Sequence, residues 1–297
     1  MNGMTHDQIA FDQMTGDPAV PNWTQVQLPD TYVDRYRFWN PLSLTRLLLR
    51  VIGPRQRVQL PQDLPGIHAL PKYIFQEFHN VPNGNYSKKL THGYVTGFDR
   101  MMLGCLRKAR QQIATELQTC RSVLDVGTAG GPTAAALKAQ GINDVWGMDP
   151  SPYLLQHAAK RCPDVHFIQG IAERTSFIAN RFDGISICFV MHEMPPKFIV
   201  QALHEFARIL KPGSKLAIVE PAASQLSEST LTLLKKHGWR GIYFGWLARA
   251  VHEPFVRAWH DMDFHSALRD AGFDVVQDYE QFPTRFIVAR KTSQLNA

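Results

Sequence analysis

Residues 123–133 read Val-Leu-Asp-Val-Gly-Thr-Ala-Gly-Gly-Pro-Thr. An apolar run ends in an acid, passes through small residues and meets a proline. Small residues let a backbone turn tightly and approach a ligand closely. A proline at the first helical position marks where a helix begins, and that helix start offers free N–H groups. Few chains carry this order outside a strand–turn–helix unit of a parallel sheet. The rest of the C-terminal half agrees. Short apolar runs over 122–126, 145–148, 165–169, 184–190, 215–219, 273–279 and 285–290 read as strands. Runs over 132–140, 152–161, 196–210 and 264–271 read as helices between them. Strands alternating with helices make a parallel sheet covered on both faces. The short link after 279 predicts a hairpin, so the last strand should run antiparallel.

Residues 1–115 look different. Prolines stand at 18, 21, 29, 41, 54, 61, 65, 71 and 82, which favours an irregular extension with few helices. One helix is well signalled, over 41–52. Asn40 is an N-cap, Pro41 suits the first position, and Gly53-Pro54 stops it. Ser43, Arg46 and Arg50 fall on one narrow face, and leucines occupy the remainder. The leucines are expected in the core, with a membrane-facing role as the rival reading.

The charge balance admits several partners. The chain of 297 residues has 32 Lys and Arg against 26 Asp and Glu, net +6. That permits an anionic partner or a membrane surface and proves neither. The N-terminus has no basic-then-apolar signal pattern, and no apolar run approaches the roughly 18 residues of a spanning helix. Cys105, Cys120, Cys162 and Cys188 lack C-x-x-C spacing, which speaks against a zinc ribbon or disulfide framework and suits a cytoplasmic protein. Peripheral contact with a membrane stays open. Oligomeric state is not readable.

A dinucleotide site would want G-x-G-x-x-G. Counted from Gly127, the positions hold Gly127, Ala129 and Pro132, so the match fails. Asp125 would repel a pyrophosphate and suits a cationic ligand.

The stretch from Asp125 to Gly131 resembles the first motif of class I S-adenosylmethionine-dependent methyltransferases, an acid followed by x-G-x-G-x-G. Ala129 replaces its middle glycine. The resemblance continues through Asp149 and Pro150, 24 residues after Asp125. It goes on through Gly170-Ile171-Ala172-Glu173, the run 182–196 and the run 207–220. The nearest flavour is that of the ubiquinone and menaquinone-biosynthesis methyltransferases. Phe98-Asp99-Arg-Met-Met loosely resembles their Tyr-Asp-x-x-Asn segment. The resemblance implies a Rossmann-like α/β fold: a seven-stranded, mostly parallel sheet with an antiparallel last strand. To it are added an N-terminal extension over 1–115 and an insertion over 221–262 within the 116–297 domain. It also implies S-adenosylmethionine as cofactor. The expected cofactor residues are Asp125, Gly127, Thr128, Ala129, Gly131, Asp149, Pro150, Ile171, Ala172, Glu173 and Phe189. Asp149 would bond both ribose hydroxyls. Ile171 stands where an adenine-binding Asp or Asn is common and cannot make that bond.

Methyl transfer needs collinear positioning and, for a phenolic or enolic acceptor, a base. His192, just after the fourth strand, is the candidate base, with Glu193 beside it. A structural role for His192 is the rival reading. The insertion is rich in Trp239, Tyr243, Phe244, Trp246, Phe255 and Trp259 with interspersed basic residues, and is expected to be a lid over a small hydrophobic acceptor. A dimer contact is the alternative. His260-Asp-Met-Asp263-Phe-His265 has no recognised ligand spacing, and no metal site is read. Nucleic acid is an unfavoured substrate: strand four leads to His-Glu-Met-Pro-Pro rather than the Asn/Asp-Pro-Pro-aromatic motif of base methylation. A non-catalytic cofactor-binding partner protein also remains open.

Overall fold

The computed structural model describes residues 16–67 and 70–293. The N-terminal part contributes α1 (Pro41–Ile52), α2 (Lys88–Met101) and α3 (Cys105–Glu116). The sheet begins with β1 (Ser122–Val126), α4 (Pro132–Ala139), β2 (Asp144–Asp149), α5 (Pro152–Arg161), β3 (His166–Gln169) and β4 (Phe182–Cys188). It continues through α6 (Pro196–Ile209) and β5 (Leu210–Pro221). Four helices follow within the insertion: α7 (Ser224–Ser227), α8 (Thr230–His237), α9 (Trp239–Ala250) and α10 (Val256–Asp261). The chain closes with α11 (Phe264–Asp270), β6 (Phe273–Gln281) and β7 (Thr284–Lys291).

The strands form one sheet in the order β3-β2-β1-β4-β5-β7-β6. β7 pairs antiparallel with both β5 and β6, and every other pairing is parallel. This is the Rossmann-like sheet expected. Strands buried on both faces read as continuous apolar runs. On one face Leu137, Leu155 and Ile113 of α4, α5 and α3 pack against Val123 and Val145. On the other, Leu203, Phe206 and Leu268 of α6 and α11 pack against Ile185 and Ile218. The order reverses between β1 and β4, so their carboxyl ends part and leave a crevice, where ligands of such sheets bind.

Several boundaries differ from expectation, most by one or two residues. β5 starts at Leu210 rather than 215, because Leu210 already pairs with Phe182. β4 stops at Cys188 rather than 190, because Phe189 turns left-handed at φ +62. His192 and Glu193 therefore sit in a short 3-10 turn, Met191–Glu193.

Helix α1 reverses the expected burial. Its cap is as read: the Asn40 side chain accepts from the Leu42 and Ser43 amides at 3.0 and 3.2 Å. Only Leu47 is buried, while Leu42, Leu48, Leu49 and Ile52 face outward. The cause is Arg50, which turns inward to fully buried Glu77 at 2.5 Å. Glu77 also accepts from the Gln56 and Asn83 amides. A buried carboxylate so engaged fixes which face of the helix looks in.

The extension is tied to the sheet domain at several points. Trp23 Nε1 donates to the Phe167 carbonyl at 2.7 Å, and Tyr153 Oη to that of Pro29 at 2.7 Å. Met102 and Leu106 pack against Phe244 and Leu247 of α9.

Candidate active site

The turn after β1 is built by three residues with positive φ. Gly127 has φ +65, Ala129 +48 and Gly131 +77. A Cβ at Gly127 would collide with Val190 Cγ2, so the glycine lets β1 and the end of β4 approach. A Cβ at Gly131 would lie 3.2 Å from Ala158, so this glycine seats α4 on α5. Ala129 holds the left-handed conformation that glycine adopts more cheaply. Its amide donates to Asp149 Oδ2 at 2.9 Å, joining the turn to the end of β2.

Asp125 does not face the crevice. It lies beneath the turn, accepting from Thr128 Oγ1 at 2.6 Å and Ser186 Oγ at 2.8 Å. Burial raises its pKa to about 6, against the lowering effect of those hydroxyls. Its place is to brace the loop.

A cavity occupies the switch point. From the sheet domain it is lined by Gly127, Thr128, Ala129, Asp149, Pro150, Ile171, Ala172, Phe189 and Glu193. These expected residues come together from four strand ends. Gly131, Glu173 and His192 are not part of the lining. Glu173 instead accepts from Tyr73 Oη, 3.1 Å from either carboxylate oxygen. Burial raises the Glu173 pKa.

Asp149 is the acid best placed to bind a ligand. Its Oδ1 accepts from the Ser151 amide at 2.8 Å, and its two oxygens keep further lone pairs. Burial pushes its pKa up to about 7, with the charge of Asp125 adding to the effect. Across the cavity, buried Tyr86 Oη has no hydrogen-bond partner. A ligand rich in hydroxyls and bearing positive charge suits this donor and acceptor set.

The other wall comes from the extension. Tyr73, Tyr94, Val95 and Phe98 line the cavity, as do Asp99 and Arg110, which pair at 2.7 Å. A Cβ at Gly130 would lie 2.5 Å from Val95 Cγ1, so α2 rests directly on the turn. The insertion over 221–262, expected as the lid, supplies none of the lining residues. Its α9 packs against α2 and α3, where Tyr243 Oη donates to the Met101 carbonyl at 2.7 Å, and the segment after α9 brings Glu253 to within 3.1 Å of His79.

His192 lies behind the cavity wall. Its Nδ1 is 2.6 Å from Glu220 Oε2. Glu220 also accepts from the amides of Val190, Met191 and His192. Burial pulls the His192 pKa down, but the Glu220 carboxylate, with Glu253 and Glu193 beyond, raises it to about 9. The side chain expected as a free base is thus held as a cation in an ion pair. Glu193 does reach the cavity. Burial, then the charge of Glu253, raises its pKa well above the ordinary carboxyl range.

Sequence reasoning missed Tyr86, Tyr94, His79 and Glu253. None stands in a motif, and all reach the site through tertiary contacts of the extension or the insertion. Phe98-Asp99 did carry a signal, a loose likeness to a family segment, and both residues line the cavity.

A family model described as a methyltransferase domain matches residues 123–213. Among curated proteins, a demethylmenaquinone methyltransferase of Chlorobaculum tepidum is 35% identical over 115 residues, 39% of this chain and 46% of the relative. One of Paenarthrobacter aurescens (strain TC1) is 30% identical over 196 residues, 59% of this chain and 72% of the relative. The chain thus spans a little under half of the first relative's length and nearly three quarters of the second's. Among solved structures, a candidate O-methyltransferase of Nostoc punctiforme PCC 73102 aligns with TM-score 0.50 at 19% identity, covering 67% of this chain and 61% of that one, which speaks to fold alone. With the relative matched over most of its length, the chain belongs to the class I S-adenosylmethionine-dependent methyltransferases and is related to the menaquinone-type enzymes.

Proposed function

We propose that the chain transfers a methyl group from S-adenosylmethionine to a small, hydrophobic, quinone-like aromatic acceptor. One observation carries this reading. A single cavity at the switch point of the sheet joins Asp149 and the 127–130 turn to Glu193, between walls of aromatic side chains.

When bound, S-adenosylmethionine supplies an electrophilic methyl group on a sulfonium. Asp149 would accept from its ribose hydroxyls. The 127–130 turn would hold its amino-acid end with backbone groups, and Ile171, Ala172 and Phe189 would enclose its base. Tyr73, Tyr94 and Phe98 shape an apolar slot that excludes water and orients a flat acceptor. Glu193 offers the acceptor a polar contact. His192 is a positioning residue: with Glu220 it fixes the 190–193 turn that carries Glu193.

The names of the curated relatives favour a quinone-like ring. The outward leucines of α1, with Trp39 and exposed Arg35, Arg37 and Arg46 nearby, support collecting such an acceptor at an anionic lipid surface. Incubation with S-adenosylmethionine labelled in its methyl group and a panel of reduced naphthoquinones tests the reaction. Label in the extracted quinone fraction is expected. Turnover confined to nucleic acid, or to no acceptor at all while the cofactor binds, would overturn it.

A further inference from the structure

We propose that His79, Glu193 and Glu253 form a binding site for one divalent transition-metal ion at the edge of the cavity. The three residues come from the extension, the turn after β4 and the insertion. His79 Nε2 lies 3.1 Å from Glu253 Oε1 and 3.4 Å from Glu193 Oε1. One ligand atom from each lies within 4.8 Å of the others. Metal–ligand bonds of about 2.0–2.1 Å in a tetrahedron place neighbouring ligand atoms roughly 3.3 Å apart. The two separations from His79 bracket that value, and the third lies within 4.8 Å.

The electrical setting also calls for a cation. The Glu253 side chain is only 10% exposed and that of His79 7%. Among the described residues, no Lys or Arg pairs with Glu193 or Glu253. The nearest cationic group is His192, whose Nε2 is 4.0 Å from Glu253 Oε2 and whose other nitrogen is committed to Glu220. Glu253 Oε2 is buried with no hydrogen-bond partner. Two partly buried carboxyl groups, Glu253 at 10% and Glu193 at 22% side-chain exposure, face one imidazole, and a positive charge between them is favourable. An ion there satisfies both, and His192 with Glu220 becomes the outer support that orients a ligating carboxylate.

One imidazole nitrogen and two carboxylates suit Zn2+, Mn2+ or Fe2+ better than Mg2+ or Ca2+. Three protein ligands leave a position open, as in catalytic rather than structural sites. Of the three, Glu193 also lines the cavity, so the open position looks that way. It would take an oxygen of the acceptor, making a hydroxyl- or carbonyl-bearing ring the preferred class. That role rests on the proposed function; the site itself does not.

The test is calorimetric titration of the full chain, stripped with chelator, using ZnCl2 and MnCl2, with S-adenosylhomocysteine affinity measured in parallel. One-site binding of Zn2+ is expected. His79→Asn and Glu253→Gln should each weaken it about tenfold or more, with S-adenosylhomocysteine affinity within about twofold of the parent. Crystals of the unmutated chain grown with ZnCl2 should show anomalous scattering between the three side chains, independent of any variant. Absence of one-site binding, equal affinity in both variants, or anomalous scattering only elsewhere would overturn the site. Zinc at the cluster without S-adenosylhomocysteine binding would leave the site standing and remove the proposed function.

Discussion

Asp149 is the residue on which cofactor binding should depend most. Its carboxyl is held near pKa 7 by burial, so near neutrality the free chain is a mixture of acid and carboxylate. Hydroxyl donors prefer the carboxylate. Affinity for S-adenosylhomocysteine should therefore rise as pH passes upward through 7, about tenfold between pH 6 and pH 8. Calorimetry at the two pH values reads this, and a flat profile would count against Asp149 as the acceptor. Ala129 makes a second case. The family glycine at this position is explained by its φ of +48, a conformation that costs a side chain about 1 kcal/mol. Ala129→Gly should leave binding intact and change stability by no more than about 1 kcal/mol, stabilising if the strain exceeds the chain entropy that glycine brings. Thermal melts check it. Asp149 and Gly127 were legible because spacing along a strand–turn–helix unit places them at strand ends. The position of Asp125 was not. Which way Asp125, the next-to-last residue of β1, points depends on Ser186 opposite it in β4, a tertiary partner.

At the scale of elements, α9 packs as a brace on the start of α3 and the end of α2. Phe244 is fully buried and packs with Met102 and Leu106, which carry α2 and α3 against the cavity. Phe244→Ala should cost about 3–5 kcal/mol and hasten amide exchange in α2 and α3 ahead of the sheet. Uniform exchange across the chain would contradict the brace. The aromatic richness of 221–262 was visible in sequence, but its target was not, because a lid and a brace need the same side chains. Helix α1 repeats the lesson in another form. Its limits were readable from Asn40, Pro41 and Gly53, while its inward face was set by Glu77, far along the chain.

The whole molecule presents one sheet whose mostly parallel make-up followed from alternating strands and helices, with the antiparallel β7 foreseen from the short link before it. Its outer surface was less legible. Among the described residues, no helix is long and apolar enough to cross a membrane. Yet Trp39 is 76% and Ile52 77% exposed, with Leu48 and Leu49 between them. Co-sedimentation with vesicles containing anionic lipid should capture the chain. The triple change Leu48→Ser, Leu49→Ser and Ile52→Ser should release it without altering cofactor affinity. Equal capture of both forms would assign the apolar face of α1 another purpose.

The central claim is that the cavity between Asp149 and Glu193 binds S-adenosylmethionine. Calorimetric titration of the full chain with S-adenosylhomocysteine at pH 8, beside Asp149→Ala and a titration with NADH, tests it most directly. The account predicts one site for S-adenosylhomocysteine, affinity reduced about a hundredfold in the variant as two charged hydrogen bonds are lost, and no heat from NADH. Absence of S-adenosylhomocysteine binding, or binding of NADH alone, would contradict it.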